Sequence, residues 1–184
     1  MPINRRMHNY DYCNPGGYFI TINSWHRLDT FSQIVNGGIT LFDLEKIIAA
    51  CWQELPKHFK NIDLGIFAIM PNHFHGILII NYSLVGSKHA SNLPIIIQEQ
   101  TYSSHSPEII NKVSGTKTGS LSAIIQSFKS ASTRLIHKNM NTSAPVWQRS
   151  FFDHIIRYEF ELGKIHDYIY NNPYQWPVEP DLLN

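Results

Sequence analysis

Two apolar runs on either side of one turn signal constrain this chain more than anything else in it. Asp63 to Met70 reads DLGIFAIM, His73 to Asn81 reads HFHGILIIN, and Pro71-Asn72 separates them. Each run is short, rich in β-branched and bulky residues, and bounded by turn formers, which marks strands. Proline presets the backbone for a turn and asparagine tolerates one, so the second run folds back beside the first. A hairpin this apolar needs cover on both faces, and helices packed on a sheet are the economical way to supply it.

The rest of the chain supplies those parts. Tyr18 to Ser24, YFITINS, follows an Asn-Pro-Gly-Gly turn signal and alternates like a strand. A loop is expected around Gly37 and Gly38, and Thr40 with Asp43 resembles a capping box. Leu44, Ile47, Ile48, Cys51 and Leu55 recur at helical spacing, with Pro56 closing that helix. Ser120 is placed to cap a second helix whose stripe is Leu121, Ile124, Ile125, Phe128, Ala131 and Leu135. Ser150 to Arg157 reads as a fourth strand, and Glu159 to Asn171 as a last helix stopped by Asn172-Pro173. The order βαββαβα predicts an α+β fold, an antiparallel sheet with helices packed on it. With 184 residues and 43% hydrophobic content, one domain over 1–184 is expected. Tyr82 to Gly119 is rich in Ser, Asn, Gly and Thr, with one apolar island at Leu93 to Ile97. It reads as a flexible insertion over 82–119.

Several classes are excluded or disfavoured. No apolar run approaches the roughly 18 residues of a membrane span, and the first residues lack the apolar stretch of a secretion signal. Cys13 and Cys51 are too few for a disulfide framework, so a reducing cytoplasmic setting is expected. Charge is unevenly spread. Between Lys112 and Arg157 seven basic residues face the single Asp153, a local net charge of +6 in a chain whose total is +1. Such a surplus suits a phosphate-facing surface as well as it suits a solvated helix face.

The chemistry concentrates in Pro71-Asn72-His73-Phe74-His75. Side chains alternate along a strand, so His73 and His75 share one face while Phe74 enters the opposite layer. Two imidazoles side by side can hold one divalent ion and leave positions open for substrate. In the last helix, steps of 100° place Leu162, Ile165 and Ile169 on the buried stripe. Glu161, Lys164, Tyr168 and Asn172 fall on one flank of it and Tyr170 on the other.

Taken together, YFITINSWHR, AIMPNHFHGILII, SLSAIIQSFKSASTRLI, VWQRSFFDHIIR and IHDYIYNNP resemble the single-tyrosine HUH transposases of bacterial insertion sequences, the REP-associated tyrosine transposase branch above all. The likeness runs from about Gly16 to Trp176, apart from the insertion. His73, Phe74 and His75 match the histidine–hydrophobic–histidine motif. The resemblance implies a ferredoxin-like or RRM-like sheet, a Mg²⁺ or Mn²⁺ ion on His73 and His75 with Asn172 beside them, and Tyr168 as nucleophile. It also implies cleavage and rejoining of single-stranded DNA next to hairpin ends through a phosphotyrosine. Lys129, Arg134, Arg149 and Arg157 are then the candidate contacts to the DNA backbone. The REP-associated branch implies a monomer, whereas Leu93 to Ile97 need cover and point to a protein capable of forming a homodimer.

Other readings compete. An RRM-type binding module would carry an RNP1-like run with aromatics at fixed offsets, which HFHGILII does not match. A metal hydrolase of the HxHxDH class would need Asp-His soon after His75, where Gly76-Ile77-Leu78 stand. A cupin-like site would need a barrel. The remaining alternative is a domesticated DNA-hairpin-binding protein without transposase activity, most simply recognised by a damaged histidine pair or tyrosine. Both are intact here.

Overall fold

A computed structural model describes residues 7, 10–35, 38–41, 43–82 and 116–175. The insertion expected over 82–119, and with it the Leu93–Ile97 island behind the homodimer expectation, falls almost wholly outside the described residues. The main sheet has four strands, β1 (Gly16–Asn23), β4 (Ile62–Ile69), β5 (His73–Ile80) and β6 (Phe152–Ile156), in the order β4-β5-β1-β6 with every neighbour antiparallel. Between β1 and β4 come a small hairpin of β2 (Ser32–Val35) and β3 (Gly38–Leu41), then α1 (Asp43–Gln53) and α2 (Leu55–His58). After β5 come α3 (Leu121–Met140) and, behind β6, α4 (Glu159–Gln175). This is the expected α+β sandwich, with crossovers that split each β–α–β unit around a central pair of strands. Among the described residues no helix is long and apolar enough to cross a membrane.

The pleat sorts the side chains into two layers. Tyr18, Ile20 and Ile22 of β1 and Phe74, Leu78 and Ile80 of β5 face α1 and α3, where they join Ile48, Trp52, Ile124, Ile125 and Phe128 in the larger core. Phe19, Ile77, Ile156 and Ile169 make a smaller core beneath α4, with Leu162, Ile165 and Tyr168 at its margin. Phe74 lies in an aromatic cluster, its ring 4.7 Å from that of Trp52 and 5.3 Å from that of Phe128. A side chain so locked fixes the register of β5, and a one-residue slip would turn both histidines into the wrong layer. Gly76 makes room for that packing, since a Cβ there would come within 2.9 Å of the Phe74 and Trp52 rings.

Four local expectations are corrected. Gly38, read as part of a loop with Gly37, opens β3 and pairs with Val35, while Gly37 lies outside the described residues. Thr40, expected at the start of a helix, lies in β3, and the helix begins three residues later at Asp43. Pro56 does not merely end a helix but sits in the first turn of α2, where its missing N–H costs nothing. Pro173 lies inside α4, which continues to Gln175. Proline there removes one bond to the carbonyl four residues back, and in a last turn few bonds remain to be lost. The cap at Ser120 is as expected, its hydroxyl accepting from the Ala123 amide at 3.3 Å.

Candidate active site

Three elements meet at the start of β5. His73 and His75 project from its α4 side, 8% and 4% exposed, with ring centroids 4.4 Å apart. The next strand supplies Thr21, the register partner of His75, and its hydroxyl lies 2.9 Å from His75 Nδ1. From α4, the Tyr168 hydroxyl reaches to 3.3 Å from His75 Nε2. Both hydroxyls can donate or accept, and the tautomer with its proton on Nδ1, donated to Thr21, is the one that leaves Nε2 to accept from the tyrosine. The phenyl ring of Phe19 completes the pocket wall, stacked on His75 with centroids 5.2 Å apart and meeting Tyr168 edge-on at 6.0 Å.

His73 is oriented by its neighbour, its Nδ1 lying 2.7 Å from Asn72 Oδ1, an acceptor that calls for the Nδ1 proton. Burial is the chief cause that pushes the pKa of His73 down to about 4, with the positive charge of Arg27 adding to it. Burial and the neighbouring His73 likewise hold His75 well below the usual histidine range, an Ile20 backbone hydrogen bond opposing them. Both rings are therefore neutral near pH 7, as metal ligation requires. Asn172 follows Tyr168 by one helical turn and is fully buried. Among the described residues no third His, Cys, Asp or Glu joins the pair.

Arg27 comes from a strained turn. His26 and Arg27 have φ of 54° and 56°, the left-handed region that non-glycine residues avoid. The turn is pinned to the segment before His73 by Ser24 N to Asn72 O at 2.9 Å and by the amides of Thr30 and Phe31, both bonded to Pro71 O. Sequence reasoning missed Phe19, Thr21, Asn72 and Arg27. Thr21 and Phe19 were legible only through the pairing of β1 with β5. Tyr168 and Tyr170 separate as the helical arithmetic expects. Tyr168 is half-buried against the small core, while Tyr170 and Tyr158 are 61% and 68% exposed.

The basic residues do not form one patch. Lys129, Arg134 and Arg149 line an open groove of about 1060 Å³ between α3 and residues 145–151. Arg134 and Arg149 are exposed there. The Lys129 ammonium donates to the carbonyls of Gln148, Arg149 (3.1 Å) and Ser150 (3.3 Å). Arg157 lies apart, at the far end of β6, with its guanidinium against the Met7 sulfur. The groove is on the α3 side of the sheet and the histidines on the α4 side. They approach one another at the end of β1, where the Gln148 amide donates to Asn23 O and Asn23 is paired with His73.

The antiparallel sheet with helices packed on it is an α+β fold shared with a solved transposase structure. The solved structure of a REP-associated tyrosine transposase bound to a REP hairpin aligns with 97% of this chain and 76% of its own length, at a TM-score of 0.55 and 16% identity. A putative transposase of Deinococcus radiodurans aligns with 91% of this chain and 96% of its own, at a TM-score of 0.43 and 14% identity. No protein-family model matches the chain. An uncharacterized protein of Haemophilus influenzae is 34% identical over 171 residues, covering 93% of this chain and 87% of that protein, and the chain belongs to the same family as it.

Proposed function

We propose that this protein cleaves single-stranded DNA next to hairpin ends and transfers the strand through a phosphotyrosine formed on Tyr168, with the help of a divalent ion. One observation carries the reading. The Tyr168 hydroxyl, brought from α4, stands 3.3 Å from Nε2 of a buried neutral histidine whose partner lies one strand step away.

The donor set fits a metal. Nδ1 of each ring faces an oxygen of Asn72 or Thr21, which leaves Nε2 as the nitrogen that would take an ion, at His75 in place of its contact with the Tyr168 hydroxyl. His73, His75 and the amide oxygen of Asn172 would hold the ion. Two imidazoles with oxygen donors favour Mn²⁺ and accommodate Mg²⁺. Bound there, the ion supplies positive charge to the scissile phosphate.

The protein's own groups do the rest. Phe19 packs against both His75 and Tyr168 and holds the phenol against the histidine, so little reorganisation is needed for attack. In the covalent step Tyr168 Oη forms a bond to phosphorus, the bond from phosphorus to the 3′ oxygen breaks, the phenol proton is lost and the departing oxygen takes one up. The 5′ strand end stays on the tyrosine, and attack by another 3′ hydroxyl reverses the step without ATP. Arg134 and Arg149 offer the groove to the DNA backbone, and contacts of this kind position a strand without reading its sequence.

The test is incubation of the protein with Mn²⁺ and single-stranded DNA from the flanks of its own gene. A covalent adduct that Tyr168→Phe abolishes supports the reading. Tight binding to hairpin DNA with no adduct at any metal concentration would favour the domesticated binding protein instead.

A further inference from the structure

Lys129, in the wall of the groove, turns its ammonium onto the backbone. Its ammonium meets three successive carbonyls, those of Gln148, Arg149 and Ser150. An ammonium has three protons to donate, and these three acceptors take all of them. The same stretch is fastened on its other side. Trp147 bridges to Ser24, the Gln148 amide donates to Asn23 O, and Trp147 Nε1 donates to the buried Ser132 hydroxyl at 3.0 Å. Residues 147–150 thus run between α3 and the end of β1 without regular secondary structure. Three carbonyl oxygens converging on one place repel one another unless a cation sits among them.

We infer that Lys129 is a positioning residue, not a phosphate contact. Its ammonium is the cation around which residues 148–150 are ordered, and that order places Arg149 on the groove and Gln148 against Asn23, the β1 residue paired with His73. The consequence for DNA rests on the function proposed above, whereas the clamp itself does not. The half-buried setting agrees. Burial pushes the Lys129 pKa down to about 8, which still leaves the ammonium mostly charged at neutral pH. A lysine meant for phosphate would gain nothing from such a site.

The experiment compares wild type, Lys129→Met, Lys129→Ala, Lys129→Arg and Arg149→Gln by amide hydrogen exchange and by binding to a single-stranded oligonucleotide across a salt series. Lys129→Met keeps the volume and removes the charge. Exchange of peptides spanning 146–151 should then accelerate by about tenfold or more, the size expected for losing charged hydrogen bonds, while β4 and β5 keep their protection. Millimolar methylammonium should restore protection in Lys129→Ala in a saturable way, and tetramethylammonium, which has no proton to donate, should not. DNA affinity of Lys129→Met should fall with an unchanged slope of log K against log salt, whereas Arg149→Gln should reduce the slope by about 0.7. Wild-type exchange over 146–151 in Lys129→Met would overturn the inference, as would a slope reduced by that variant to the same extent as by Arg149→Gln. If wild type itself binds no DNA while the exchange results hold, the clamp stands and the proposed function falls.

Discussion

Acid should find the histidine pair before any other part of the active site. An unfolded histidine ionises near pH 6.5, whereas His73 in the fold does so only at about 4, chiefly because it is buried. The unfolded chain therefore binds more protons between those two values, and stability falls as pH drops through that window. From the two pKa values, His73 alone should cost the folded state about 2 kcal/mol between about pH 7.5 and about pH 5. His75, with its pKa lowered in the same direction, adds to the loss. The total curve is a poor test, because the buried Glu45 acts the other way. Burial raises its pKa to about 7, so its protonation favours the fold over the same interval. The difference between wild type and His73→Gln cancels Glu45. Urea denaturation with EDTA present should show the advantage of the histidine variant growing, relative to wild type, by about 2 kcal/mol from about pH 7.5 to about pH 5. A difference that stays constant with pH would refute the claim that His73 is held neutral by burial.

Four further outcomes are expected. Tyr168→Phe should fold and bind DNA normally yet lose the covalent step by a factor of about 10³ or more, and an adduct at near wild-type rate with Tyr170→Phe inactive would reverse the assignment. Calorimetry should show Mn²⁺ binding to wild type and none to a His73→Ala, His75→Ala double variant, so equal affinity in both would remove the metal site. Neutralising Arg134 should reduce the slope of log K against log salt by about 0.7 for single-stranded DNA, while Arg157→Gln, whose side chain lies apart from the groove, should leave the slope unchanged. Gly76→Ala forces a methyl against the Phe74 and Trp52 rings. It should destabilise the fold by about 1–3 kcal/mol in urea melts, and an unchanged midpoint would show that those rings yield freely.

The neighbour relations inside each element were readable along the chain. Alternation alone put His73 and His75 on one face and Phe74 on the other, and 100° steps alone paired Tyr168 with Asn172 and set Tyr170 aside. Ser120 announced its own helix, because a cap acts on an amide three residues away. Only the folded chain decided what depends on distant partners. Gly38 belongs to a strand because Val35 pairs with it, and no local preference of a glycine would say so. Pro173 stays in α4, although a proline in isolation ends a helix. Lys129 turns to three carbonyls about 20 residues along, where its charge on paper suggested phosphate. The site itself joins Thr21 to His75 across 54 residues and His75 to Tyr168 across 93. Local periodicity gives each side chain a direction within its own element. Which directions converge is settled by strand order and helix placement, since those are what bury the two cores.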